Sequence, residues 1–213
     1  MSLAAFVVVS LIMGPSFPEL PAGSQQATGV KVGEVSAHEA IVWMRLTERS
    51  ERNREGIDRV GRPVEPEPSD EEVPTLKHAS PGVPGLVRLR FGTDPDLNDA
   101  KETEWSEVGA STDFAHQFRL DGLEPDTVYH YAAETSGPGG EPKHSAVLGR
   151  FRTAPRPEEP SRVTFTVVTG MMYKDLDHPD GFTIYESMAR LEPSFLVPTG
   201  DTVYYDNEDP RAR

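Results

Sequence analysis

Cysteine is absent from all 213 residues, which excludes a disulfide framework and a thiolate metal site while leaving the compartment open. Basic side chains are scarce: 21 Lys and Arg stand against 35 Asp and Glu, a formal charge of -14. Phosphate backbones and anionic lipids are held by clustered cations, so no nucleic-acid-binding surface is expected. An acid surface of this kind also keeps an exported protein soluble. No stable membrane span is expected either. The apolar run at 3–13 falls well short of the roughly 20 residues that cross a bilayer. Hydrophobic content is a modest 36%, and 20 Pro with 18 Gly point to many turns and few long helices.

The short apolar run has the length of a signal-peptide core, and the helix-breaking pair Gly14-Pro15 follows it. No Lys or Arg precedes it, and a buried strand is the competing reading. The loop behind it (14–28) is rich in Pro, Gly, Ser and Gln, which favours an export signal with cleavage after Ala22 or Ala27. Residues 1–27 are therefore read as export signal and leader, and the protein as secreted or periplasmic.

From residue 28 to 154 the pattern changes to short alternating strands separated by turn residues. Val30–Val35, Ala40–Leu46 and Leu86–Gly92 come first, followed by Glu104–Val108, Phe114–Leu120, Val128–Glu134 and Val147–Thr153. Seven such strands fit a two-sheet Greek-key sandwich. The sharpest local signal is Leu123-Glu124-Pro125-Asp126-Thr127-Val128-Tyr129, a Pro-containing turn running into a strand that opens with Tyr. This is the spacing of a tyrosine corner, in which the phenol bonds to backbone upstream. The segment resembles a fibronectin type III domain, with Trp43 standing where such modules bury an aromatic residue. Residues 48–84 interleave Glu, Arg, Asp and Pro. That composition buries little apolar surface and reads as a long loop insertion, mostly solvated or draped over a neighbour. Residues 155–161 are a Pro-rich, semi-rigid linker.

A second pattern occupies 162–213. Arg162–Thr169 is a β-branched run suited to a buried strand. The loop behind it carries Asp175, Asp177, His178 and Asp180. A helical stretch follows with Ile184, Met188 and Leu191 on one face, and then a second strand at Ser194–Thr199 ending in Gly200-Asp201. This is a βαβ unit, and open α/β sheets bind ligands at the carboxyl ends of their strands. An Asp delivered there after a Gly can serve a hard metal ion, and paired metals clamp phosphoryl oxygens. Equally, the dipeptide can be an Asp that caps a turn, with Tyr204 and Tyr205 as packing aromatics.

Taken together, Asp180-Gly181-Phe182, Leu191-Glu192-Pro193-Ser194-Phe195 and Gly200-Asp201-Thr202-Val203-Tyr204-Tyr205-Asp206 resemble the alkaline phosphatase D (PhoD-like) family. Val32-Gly33-Glu34-Val35 and Ile41-Val42-Trp43 resemble the start of its N-terminal domain. The resemblance implies a fibronectin-like sandwich joined to a calcineurin-like metallophosphoesterase domain, of which 162–213 is an N-terminal fragment. It further implies hydrolysis of a phosphate mono- or diester substrate outside the cytoplasm, with iron and calcium as cofactors. Asp201 is then the bridging ligand and Tyr204 the iron ligand. Gly170 stands where the family commonly has a Cys, and Pro198 where it commonly has a His. Asp175, Asp177 and His178 are the candidates to substitute for them. The later Asn, Asp and His ligands do not occur by Arg213, so the fragment itself is expected to be inactive.

Two other readings compete. A purple acid phosphatase also pairs such a sandwich with Gly-Asp-x-x-Tyr, but its first strand ends in an Asp, and Thr169-Gly170-Met171 offers none. A secreted fibronectin-type binding module would carry no catalysis. Neither the natural substrate nor the oligomeric state has a sequence signature here.

Overall fold

The computed structural model describes residues 23–57, 69, 71–172, 176–178 and 181–202. Period-two alternation builds two antiparallel sheets. The smaller has the order β1-β2-β6, from β1 (Lys31–Gly33), β2 (Glu39–Arg45) and β6 (Ala115–Asp121). The larger is ordered β4-β3-β7-β8, from β3 (Gly85–Gly92), β4 (Lys101–Glu102), β7 (Val128–Ser136) and β8 (Val147–Arg152). A short β5 (Ser106–Val108) also pairs with β3. The chain passes from the small sheet to the large one between β2 and β3, and again between β6 and β7. Three strands facing a larger sheet with these crossings make a fibronectin type III-like sandwich.

Every second residue points inward, and the two inner faces form one core. Ala40, Val42 and Met44 of β2 lie beside Phe118 and Leu120 of β6. Val87, Leu89 and Phe91 of β3 face them with Tyr129, Tyr131 and Ala133 of β7. Burial on this scale supplies the main stabilising term. Where rings are large, the neighbouring strand gives way. Tyr131 is paired with Gly149, and a Cβ there would collide with its ring atoms. Burial also raises the Tyr131 phenol pKa.

The tyrosine corner is present. The Glu124 N–H donates to Tyr129 Oη at 2.9 Å, and the Tyr129 ring stacks on Phe151 with centroids 5.7 Å apart. Trp43 departs from expectation. Because Val42 and Met44 face inward, the strand's two-residue period turns Trp43 outward. It is half-buried there, opposite Gln117, with Lys31 Nζ 4.3 Å from its ring centroid. Burial lowers the Lys31 pKa at this position.

The insertion is better ordered at its two ends than its composition suggests. Asn53 donates from Nδ2 to the Leu76 carbonyl at 3.1 Å, and its main chain bonds Ala79 and His78. Across the same neck Ile57 N–H donates to the Thr75 carbonyl and Lys77 N–H to the Ile57 carbonyl, and Leu76 is buried. Arg45, on the outer face of β2, donates to the Ser80 carbonyl at 2.6 Å and to the Asp113 carbonyl at 2.9 Å. The returning arm of the insertion is thus tied to the sandwich. Residues 58–68 and 70 lie outside the described residues.

Residues 23–27, counted with the leader in the sequence reading, are built into the sandwich. Ser24 and Gln26 are fully buried. Outside the core, Arg88 joins both sides of the large sheet's outer face, with Nε 2.8 Å from Glu134 and Nη1 2.7 Å from Glu102.

Tyr129→Phe should lower stability by about 1 kcal/mol, because it deletes one hydrogen bond and keeps the ring. Urea unfolding of wild type and variant checks this, and identical midpoints would contradict the corner's role. A second expectation concerns acid. Burial lowers the pKa of both His116 and His144 below 6.5. The folded state therefore favours the neutral rings, and unfolding takes up protons as the medium turns acid. Stability should be complete above about pH 6.5 and decline below it. Urea midpoints at several pH values, with His116→Gln/His144→Gln flattening the slope, check the sign.

Candidate functional site

The second unit is small. β9 (Phe165–Val168) and β10 (Phe195–Pro198) pair in parallel, joined through α1 (Ile184–Ala189). A parallel pair needs such a crossover. Phe165 and Phe195 lie directly opposite and stack with ring centroids 5.4 Å apart. The expected apolar helix face is not covered: Ile184 and Leu191 are exposed, while Phe182, Tyr185 and Met188 are half-buried. Among the described residues from Arg156 onward, none is buried.

The parallel register brings the two strand ends side by side. Thr199 N–H donates to the Val168 carbonyl at 2.9 Å, and Thr169 Oγ1 donates to the Gly200 carbonyl at 3.3 Å. Met171 N–H then donates to the Asp201 carbonyl at 2.9 Å. Gly170-Met171 and Gly200-Asp201 are thereby held together at the carboxyl edge. The backbone turns sharply there: Gly200 has φ +127 and Asp201 φ +53. A non-glycine residue in the left-handed region costs free energy, and such residues gather at functional sites. The turn sets the exposed Asp201 beyond the strand end.

Asp177 bonds to the residue ahead of the helix. Its Oδ1 accepts from Thr183 N–H at 2.9 Å and its Oδ2 from the Thr183 hydroxyl at 2.6 Å, just ahead of α1. These bonds to Thr183 lower the carboxyl pKa, the hydroxyl contributing most. His178 sits in a tight turn closed by paired backbone bonds with Gly181 at 3.2 and 3.1 Å. Both Asp177 carboxylate oxygens are therefore engaged in shaping the approach to the helix. The sequence signal for this was Thr183 at the helix start, and it went unread beside the metal-ligand candidates. Tyr204 and Asp175 lie outside the described residues. Among the described residues, no three His, Cys, Asp or Glu gather into a metal-binding group, and no helix is long and apolar enough to cross a membrane.

A fibronectin-like sandwich followed by a parallel βαβ unit with Asp201 at its carboxyl edge defines the class: a β-sandwich joined to an α/β segment. Within it, residues 16–155 match the model for the PhoD-like phosphatase N-terminal domain, and the chain belongs to that family. The solved structure of PhoD superposes with TM-score 0.60 at 20% identity, over 90% of this chain and 30% of that one. This chain thus spans about a third of the length of that structure. A fibronectin type III domain from a human protein aligns over 65% of this chain and 78% of its own, at 13% identity and TM-score 0.37. Among curated proteins no sequence match is found.

Asp177 should titrate below the ordinary carboxylate value, and Thr183→Val should return it upward, since the variant removes the hydroxyl donor. Carboxyl-detected NMR titration measures both. An Asp177 that titrates like a free side chain would contradict its bonds to Thr183.

Proposed function

We propose that this chain is the N-terminal part of an extracytoplasmic, metal-dependent phosphatase hydrolysing phosphate mono- or diesters. The observation that carries the reading is the family match over residues 16–155, continued by a βαβ unit that sets Asp201 at the carboxyl edge of β10. That edge is where open α/β sheets take their ligands. Export rests on the apolar run at 3–13 and the loop behind it.

Iron and calcium are the proposed metals. The donor chemistry fits in part: Asp201 is an exposed carboxylate on a turn that projects from the strand end, and Tyr204 follows it in sequence. Asp177 is held by Thr183, so it is a supporting residue of the loop rather than a replacement for the missing Cys. In this reading the sandwich is a rigid neighbour to the catalytic domain, and the acid surface plays no part in substrate attraction. Phosphate esters are anions, which an acid surface repels, so a cationic centre has to supply the attraction.

Hydrolysis of a generic aryl phosphate tests the proposal in three samples: the longer parent protein, its Asp201→Asn variant and the 213-residue chain alone. With iron and calcium supplied, the parent should turn over, and the variant should lose at least about 100-fold, because a neutral amide bridges cations poorly. The 213-residue chain should show no turnover. A parent still fully active after Asp201→Asn would remove the ligand role of Asp201. Metal-dependent turnover by the short chain would overturn the need for further ligands.

A further inference from the structure

Two alanines, Ala22 and Ala27, suit the small-residue requirement of export processing, and local sequence does not choose between them. Processing acts on the unfolded, translocating chain, so burial does not shield either bond. What separates them is the product that each cut leaves to fold.

The five residues between the two cuts, 23–27, are tied into the sandwich at three places far apart in sequence. The Thr135 hydroxyl, on β7, donates to the Ser24 carbonyl at 2.9 Å. The side-chain amide of Gln26 donates to the Ala133 carbonyl of the same strand at 2.9 Å. Ahead of β8, Ser145 N–H donates to the Gly23 carbonyl at 3.0 Å. Beyond β2, Thr47 N–H donates to the Gln25 carbonyl at 2.7 Å, while Ala27 N–H donates to Thr47 Oγ1 at 2.9 Å. The segment thus bridges the ends of both sheets, covering a polar layer in which Thr47, Thr135 and Ser136 are all nearly inaccessible. His144 Nδ1 lies 2.9 Å from Thr135 Oγ1. Because that hydroxyl gives its one proton to Ser24, the imidazole N–H is the donor in this second bond.

A cut after Ala27 would strip the partners from Thr47 N–H and the Thr135 hydroxyl and open that layer to solvent. Buried polar groups left unpaired each cost about 1–3 kcal/mol. A cut after Ala22 removes none of these bonds.

We propose that export processing of this protein cuts before Gly23, leaving residues 23–27 on the mature chain as a built-in closure of the sandwich. The position of the cut rests on the export reading above, whereas the closure itself does not. Gln26 closes the layer through its amide nitrogen. Ser24 Oγ has no protein partner, and that residue acts through its carbonyl alone. The two side chains should therefore respond differently to truncation.

The test uses the full chain in an export-competent host, with the N-terminus of the exported form read by intact mass. A start at Gly23 is expected, and a start at Thr28 or at any other residue overturns the cut position. Thermal melts of the same chain then examine the closure. Gln26→Ala should lower Tm by about 4 °C or more, and Ser24→Ala should shift it by less than about 2 °C. Equal Tm for Gln26→Ala and wild type overturns the closure. If Gln26→Ala does not fold, hydrogen exchange on the wild-type chain decides. Slow amides at Thr47 and Ser145 support the closure, and exchange at free-loop rates overturns it. A chain that is never cut, yet loses Tm on Gln26→Ala, removes the export reading alone and leaves the closure standing.

Discussion

The fit between the aromatic rings of β7 and the strands on either side of it is the constraint on which the sandwich depends. Tyr131 occupies the space that Gly149 leaves open on β8 and lies opposite Phe91 on β3. Tyr129 stacks on Phe151, with Phe91 at 6.5 Å on another side. Ala133 is small enough to sit between Leu89 and Val147. Dense interiors tolerate little change in volume, so this pattern of large against small holds β3, β7 and β8 in one register.

The consequences extend to both ends of the domain. With its ring fixed, Tyr129 places its hydroxyl under the Glu124 N–H, which orients the crossing from β6 to β7 and buries Leu123. The same corner receives the end of β8. Thr153 Oγ1 donates to the Glu124 carbonyl at 2.6 Å, and Ala154 N–H donates to the Ser36 carbonyl at 3.0 Å. The point at which the chain leaves for the linker is therefore set by the corner. At the opposite end of β7, Ala133 and Thr135 receive residues 24–26. One strand organises where the chain enters the sandwich and where it exits.

The βαβ unit contrasts with this. Phe165, Val167, Phe195 and Leu196 remain substantially exposed, although parallel strands are normally covered on both faces. Its order comes from backbone bonds, the Phe165–Phe195 stack and the Asp177–Thr183 bonds. The left-handed Asp201 is held by its carbonyl bond to Met171, which leaves its carboxylate outside the strand pairing.

By itself the sequence determined the two-sheet pattern, the tyrosine corner and the βαβ order with Gly200-Asp201 at its edge. Each is a local signal, carried by period-two alternation, turn chemistry or a short string of residues. Strand existence was legible, while the strand expected at 104–108 is the shorter β5, and the two-residue β4 just before it was not expected. Tertiary structure decided the rest. Alternation says that Trp43 and Val42 face opposite ways, but only the second sheet settles which of them is inside. Polar composition marked 23–27 as leader, yet hydrogen bonds to residues more than a hundred positions away make it interior. Asp177 read as a possible ligand, and only the fold shows that both its oxygens accept from Thr183. In each case the partner is distant in sequence or a matter of direction, and neither is encoded in local residue type.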